Sequence, residues 1–185
     1  MKGSKVAIRY ARSLFGIGLS TQQLEKIKLD VAFLNEMLQE QRDFRTLVAS
    51  PVIKTEMKIS IFKELLSGAI SNDTLLFLNL LAQKRREGML ADICHSFMKI
   101  YYKHNNIEEV TLTTAIAADD QIRQTVKTLV GKMTQSSLLF TEIVDPKIIG
   151  GFVVRLGDTQ IDASVAGKLQ QSKNHLLKNV YSSTI

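Results

Sequence analysis

The sequence predicts a mainly α chain in two parts, an N-terminal six-helix bundle over residues 1–105 and a small α+β domain over 106–185. Three observations carry this. Apolar residues recur at helical spacing up to His104. Asn105-Asn106 then interrupts the pattern, and alternation of period two replaces it. Charge divides at the same place: 16 Lys and Arg stand against 10 Asp and Glu through Asn105, and 8 against 8 from Asn106 onward, so the whole excess of +6 lies in the first part.

The first helix carries Val6, Tyr10, Leu14 and Ile17. No acidic residue precedes Glu25, and Lys2, Lys5, Arg9 and Arg12 are basic, a composition shared with organelle transit peptides. The sustained helical spacing favours the first helix of the mature protein and a bacterial source. Ser20 with Gln23 is a candidate capping box for a second helix bearing Leu24, Ile27, Val31, Leu34 and Leu38. A short third helix, Asp43 to Ala49, ends before Ser50-Pro51 because the residue before proline is pushed out of the α region. The fourth sets Met57, Ile61 and Leu65 in line, widened by Ile59, Phe62 and Leu66, with Gly68 past its end. Ser71 caps a fifth, with Asp73 in its first turn. Gly88 separates that helix from a sixth that buries Leu90, Ile93, Phe97, Ile100 and Tyr101.

Beyond Asn106, Glu108 to Ile116 alternates in strand fashion through Val110, Leu112 and Thr114. Asp119 or Asp120 caps a helix with Ile122, Val126, Leu129 and Met133, and Leu138 to Val144 returns as a strand. Phe152–Leu156, the turn pair Gly157-Asp158 and Thr159–Ile161 read as a hairpin. Asp162 then caps a last amphipathic helix carrying Val165, Leu169, Leu176 and Val180. Two or three strands with two helices make a domain near the limit of independent stability. Gly150-Gly151 precedes a strand, whereas a phosphate-binding loop places its glycines after a strand and at the start of a helix. Their expected role is close backbone approach or a bulge.

Several function classes are disfavoured. The 185 residues are 45% hydrophobic, enough for one large core or two small ones. The single cysteine, Cys94, excludes an internal disulfide and sits on an apolar stripe. No apolar run approaches the ~20 residues of a membrane span. His95, His104 and His175 lack ligand spacing, and adjacent Cys94 and His95 point to different sides of a helix. Glu108-Glu109 and Asp119-Asp120 begin a strand and a helix, and Ser164 and Ser172 lack an elbow or a base. The chain reads as non-enzymatic. A basic helical half could face nucleic acid, anionic lipid or an acidic protein. Nucleic acid is disfavoured because the aromatics lie on apolar stripes instead of between the basic residues. The fifth helix, with Leu75, Leu76, Phe77, Leu78, Leu80 and Leu81, is apolar nearly all round. It is therefore either wholly internal or in part the wall of a groove for an amphipathic helix.

The stretch from Leu138 to Gly157 resembles the signature of the delta subunit of bacterial and chloroplast F-type ATP synthases. The mitochondrial member of that family is the oligomycin-sensitivity-conferring protein. The matching positions are Leu138, Phe140, Val144, Asp145, Ile148, Gly150, Gly151, Phe152, Val154, Arg155 and Gly157, with Asp158 following. Arg9-Tyr10-Ala11 with Leu14-Phe15 is similar to the family's opening helix. Phe44, Leu47, Ser50-Pro51, Lys58 and Ile61-Phe62 are similar to its middle. Leu80-Leu81, Arg85, Leu90, Ile93 and Phe97 are similar to its later helix pair.

The resemblance implies a non-catalytic peripheral-stalk (stator) subunit on the cytoplasmic face of the bacterial membrane, with no cofactor. Residues 1–105 would bind the alpha/beta catalytic head, by a groove between the first and fifth helices that accepts the N-terminal helix of an alpha subunit. The groove residues expected are Tyr10, Ala11, Leu14, Phe77, Leu80 and Leu81. Residues 106–185 would bind the b subunits. The competing expectation is a free-standing basic helical module for nucleic acid or an anionic membrane surface, whose binding would weaken steeply with salt.

Overall fold

The computed structural model describes residues 4–131, 134, 136–157 and 159–180, with side chains described through His175. It divides at Asn105–Asn106 into two units, 1–105 and 106–185.

In the first unit, helix α1 (Lys5–Ser20) opens on Ser4, whose Oγ accepts the Ala7 N–H (3.2 Å). It buries Ala7, Ala11, Leu14 and Phe15. Phe15 meets Phe97 and His104 edge-on at 6.0 and 5.2 Å, which joins α1 to α6 (Leu90–His104). The capping box expected at Ser20 does not form. Ser20 is the last residue of α1 and its hydroxyl donates back to the Ile17 carbonyl (2.9 Å). The chain turns instead through left-handed Gln22 (φ +55°), and α2 (Leu24–Glu40) begins after Gln23 with no side-chain cap.

Helix α3 (Arg42–Ala49) stops at Ser50, held extended (ψ 121°) before Pro51. In α4 (Thr55–Leu66) the expected line Met57, Ile61 and Leu65 is not the buried one, whereas Phe62 and Leu66, expected to widen that face, are buried. Met57 and Leu65 are 62% and 56% exposed, Ile61 is half-buried, and the buried row is Lys58, Phe62 and Leu66. A lysine on that row hides the true inward face from a reading of apolar residues alone. Lys58 is 1% exposed, and its ammonium donates to the Ser50 carbonyl (2.6 Å), the Val48 carbonyl (3.4 Å) and Glu87 Oε1 (2.6 Å). It ties the α3–α4 turn to the 3-10 turn Glu87–Met89.

Ser71 caps α5 (Asn72–Gln83), as its hydroxyl accepts the Thr74 N–H. Behind it lies a partner the sequence did not reveal. Asp30 of α2, 5% exposed, takes the Ser71 N–H (3.0 Å) and the Ser71 and Thr74 hydroxyls on one carboxylate oxygen. A carboxylate at this helix N-terminus also faces the positive end of the helix dipole. On α6, Leu90, Ile93, Cys94, Phe97 and Tyr101 are buried, while Ile100 is only half-buried. The Tyr101 hydroxyl donates to Glu25 (2.6 Å), and that carboxylate pushes its pKa up to about 12.

The second unit is a four-stranded sheet with two helices, more than the two or three strands expected. Its strands are β1 (Ile107–Thr114), β2 (Ser137–Val144), β3 (Phe152–Leu156) and β4 (Thr159–Asp162), in the order β2-β1-β3-β4. β1 and β2 run parallel over eight paired residues with α7 (Asp120–Gly131) as the crossover, while β1–β3 and β3–β4 are antiparallel. β1 ends at Thr114, short of Ile116, which is 77% exposed. Val110, Leu112 and Val154 on the sheet meet Val126 and Val130 of α7, with Ile122 and Leu129 packed at the edge of this core. Asp119 is the α7 cap, its carboxylate taking the Ile122 N–H (2.8 Å). Arg123 joins α7 to β2 by two hydrogen bonds to Glu142 (2.7 and 3.1 Å). Met133 lies outside the described residues.

Helix α8 (Val165–Val180) is capped by Ser164, not by Asp162 as expected. The Ser164 hydroxyl accepts the Gly167 N–H (2.9 Å) and donates to Asp162 (2.6 Å), so Asp162 braces the cap from behind. The two hydrogen bonds from Ser164 hold the Asp162 carboxyl below its usual pKa. The apolar line expected on α8 is not internal where it is visible. Val165 and Leu169 are exposed, and the side chains of Leu176 and Val180 lie outside the described set.

Candidate functional site

Two regions follow from the sequence expectations, one in each unit. In the first unit the expected groove residues separate into two groups. Ala11, Leu14, Phe77 and Leu81 are core, none more than 3% exposed, so they have almost no surface to offer a partner. Tyr10 is half-buried and stands edge-on to Phe77 (6.4 Å between centroids), which joins α1 to α5. Leu80 is 42% exposed.

Helical spacing from these two residues finds what the candidate set left out. Leu76, one turn before Leu80, is 58% exposed. Val6 and Ile17 are half-buried and lie within about 40° of Tyr10 around α1. α5 is therefore internal along Thr74, Phe77, Leu78, Leu81 and Ala82, but keeps two leucines of one row in solvent. These two leucines lie one turn apart on α5, the helix whose Phe77 meets Tyr10.

In the second unit backbone proximity explains the second glycine of the pair, whereas a Cβ on Gly150 would meet only the Val165 side chain, at 3.3 Å. Asp145 takes the Lys147 N–H (3.0 Å) and opens the 3-10 turn Pro146–Ile148, on which Ile148 is half-buried. Ile149 then adopts φ +67°. The Gly150 carbonyl accepts the Val165 N–H (2.9 Å), and the Phe152 carbonyl accepts the Ala163 N–H (3.0 Å). Between these bonds Gly151 sits at φ +73°. A Cβ there would lie 2.4 Å from the Ala163 carbonyl oxygen and 3.2 Å from Ser164 Cα. Gly157 has φ +55° but open space around it, so it serves the β3–β4 turn alone. Asp158 lies outside the described residues.

Chemistry finds little purchase here. Cys94 is 2% exposed, and burial pushes its thiol pKa up to about 12, which suppresses the nucleophilic thiolate. His95 beside it is exposed. Among the described residues no group of three or more His, Cys, Asp or Glu could hold a metal ion. Nor, among them, is any helix long and apolar enough to cross a membrane.

Comparison with known proteins gives one consistent answer. The family model described as ATP synthase delta (OSCP) subunit matches residues 6–176. The ATP synthase subunit delta of Prochlorococcus marinus is 34% identical over 172 residues, covering 91% of this chain and 94% of the relative. That of Heliobacterium modesticaldum is 32% identical over 174 residues, with 94% of each chain covered. The chloroplastic protein of Emiliania huxleyi is 29% identical over 168 residues, covering 90% of this chain and 93% of the relative. A chain in the structure of the Toxoplasma gondii mitochondrial ATP synthase hexamer shares the fold. Its TM-score is 0.75 at 24% identity, over 94% of this chain and 98% of that one.

Proposed function

The chain belongs to the ATP synthase delta (OSCP) subunit family and is a non-catalytic peripheral-stalk subunit of an F-type ATP synthase, and on that premise we propose how its two units divide the work. Residues 1–105, as a six-helix bundle, hold the alpha/beta catalytic head by taking the N-terminal helix of an alpha subunit. Residues 106–185 hold the b subunits, on the cytoplasmic face of the membrane.

The observation that carries the first assignment is the exposed pair Leu76 and Leu80 on α5, the helix whose Phe77 meets Tyr10. Tyr10 and Leu80 make the contact, while Ala11, Leu14, Phe77 and Leu81 form the wall behind them and fix the spacing of α1 and α5. In the second unit, exposed Val165 and Leu169 offer apolar surface to the b subunits. Asp145, Ile148 and the glycines shape the backbone behind them.

The task is mechanical. Proton flow turns the rotor, the head experiences torque, and the stalk keeps it from turning with the rotor. A holding contact must dissociate slowly, and residence time is set chiefly by buried apolar anchors. A free-standing polyanion-binding module is disfavoured by family membership over nearly the whole chain.

The test uses Leu80→Asp. The folded variant is expected to bind an alpha N-terminal peptide more weakly by over ~2 kcal/mol in calorimetry, the scale of an interface anchor. In reconstituted membranes it should leave ATP hydrolysis intact while proton pumping falls. Equal peptide affinity in variant and wild type refutes the groove.

A further inference from the structure

Lys5, Ile8, Arg9 and Arg12 line one shallow depression on α1. Lys5, Arg9 and Arg12 are exposed, and their spacing (i, i+4, i+7) sets them along one side of the helix. The chain supplies no local counter-charge, since its first acidic residue is Glu25. Among the described residues the ion pairs are Lys58–Glu87, Arg123–Asp120 and Arg123–Glu142, so none of these three cations is ion-paired there. Tyr10, on the same helix, instead meets Phe77 of α5 and is assigned to the proposed groove.

We propose that this basic face of α1 is a second docking surface, and that it takes an acidic helix belonging to a subunit of the catalytic head. Charge complementarity selects the partner. Carboxylates repeating at i, i+4 and i+7 on a facing helix match three cations repeating at that interval. Half-buried Ile8 lies among the cations and adds an apolar contact that a helix can use and a phosphate backbone cannot. The surface lacks the stacking aromatics of single-strand binders. Exposed charges act mainly on encounter, whereas the apolar groove acts on dissociation. The two faces therefore divide the kinetics: α1 speeds association of the subunit with the head at low salt, and the groove makes the contact last.

The proposal rests on family membership and not on the groove, so the two fail separately. The catalytic head depleted of this subunit is mixed with wild type, with the triple variant Lys5→Gln/Arg9→Gln/Arg12→Gln, and with Leu80→Asp. Association and dissociation are followed by surface binding across ionic strength, after circular dichroism has shown each variant folded. The triple variant is expected to associate about tenfold more slowly at low salt, within the range of electrostatic steering, and to lose most of its salt dependence. Leu80→Asp should instead speed dissociation.

In parallel, carbodiimide coupling of the assembled complex, read by mass spectrometry, should join the Lys5 amine to a Glu or Asp in a helical stretch of a head subunit. Wild type and triple variant are also titrated with duplex DNA and with vesicles of phosphatidylcholine and phosphatidylglycerol. The absence of a Lys5 cross-link, or an unchanged association rate in the triple variant at low salt, overturns the proposal. So does a triple variant that loses only DNA or vesicle binding.

Discussion

Three glycine replacements separate backbone strain from close contact in the second unit. Gly131→Ala, at the end of α7, meets nothing within 4 Å and needs no left-handed backbone, so stability should stay level or rise slightly. Gly157→Ala keeps the open surroundings but forces an L-residue to φ +55°. That strain costs about 1–2 kcal/mol, and the stiffer unfolded chain offsets about 0.4–1 of it. Gly151→Ala carries the same strain at φ +73° and also drives a Cβ to 2.4 Å from the Ala163 carbonyl oxygen. Relief requires the 163–165 segment to retreat, which breaks Ala163 N–H to Phe152 or Val165 N–H to Gly150.

Each such bond contributes about 1 kcal/mol, and a group left unpaired adds about 1–3 more. Gly151→Ala should therefore exceed Gly157→Ala by about 2 kcal/mol, roughly 30-fold in local opening. Hydrogen exchange of the Ala163 and Val165 amides in the full chain measures this directly. Amides equally protected in the two variants would show that the close approach at Gly151 carries no energy, and the reasoning would fail.

Other outcomes follow from the same geometry. Lys58→Met should destabilise the first unit by about 3–5 kcal/mol, because it strands the Glu87 carboxylate, whose Oε2 already lacks a partner. Adding Glu87→Gln should recover part of that loss in denaturant titration, and a double variant no more stable than the single would refute the pairing. A fragment ending at Asn105 is expected to fold alone with helical circular dichroism and to keep its affinity for the alpha peptide. An unfolded fragment would show that its core draws on the later strands.

The elements were legible where apolar residues alone mark the inward face. β1 alternates Val110, Leu112 and Thr114 inward as its sequence does, and the hairpin around Gly157 lies where its turn pair places it. Legibility failed where a polar residue carries the packing. Lys58 occupies a core row of α4, so the apolar pattern pointed at the exposed row of Met57 and Leu65 instead. Asp30 reads as an ordinary helix-surface residue until Ser71 and Thr74 are folded against it across 41 and 44 positions of sequence. Ser20 resembles a cap for the second helix because its hydroxyl serves the end of one helix as well as it would the start of the next. The parallel pairing of β1 and β2 has no local signal, since register across a crossover is decided by the helix packed over it. For the candidate site, a run of leucines shows that α5 has too many apolar sides, but only the folded unit shows that Leu76 and Leu80 are left over.

The position of β1 inside the sheet also sets the order of events on the ribosome. β1 is made first but lies between β2 and β3, so neither edge is satisfied until much later sequence has emerged, ending with Leu156. The helices before Asn105 draw on earlier sequence and can settle while β1 waits, for seconds at ordinary elongation rates. During that interval Val110 and Leu112 are an apolar strand without neighbours, the state most open to pairing with the wrong chain. Growth conditions that slow translation across the 115–156 stretch should therefore lower the yield of intact subunit without altering the stability of the molecules that complete folding.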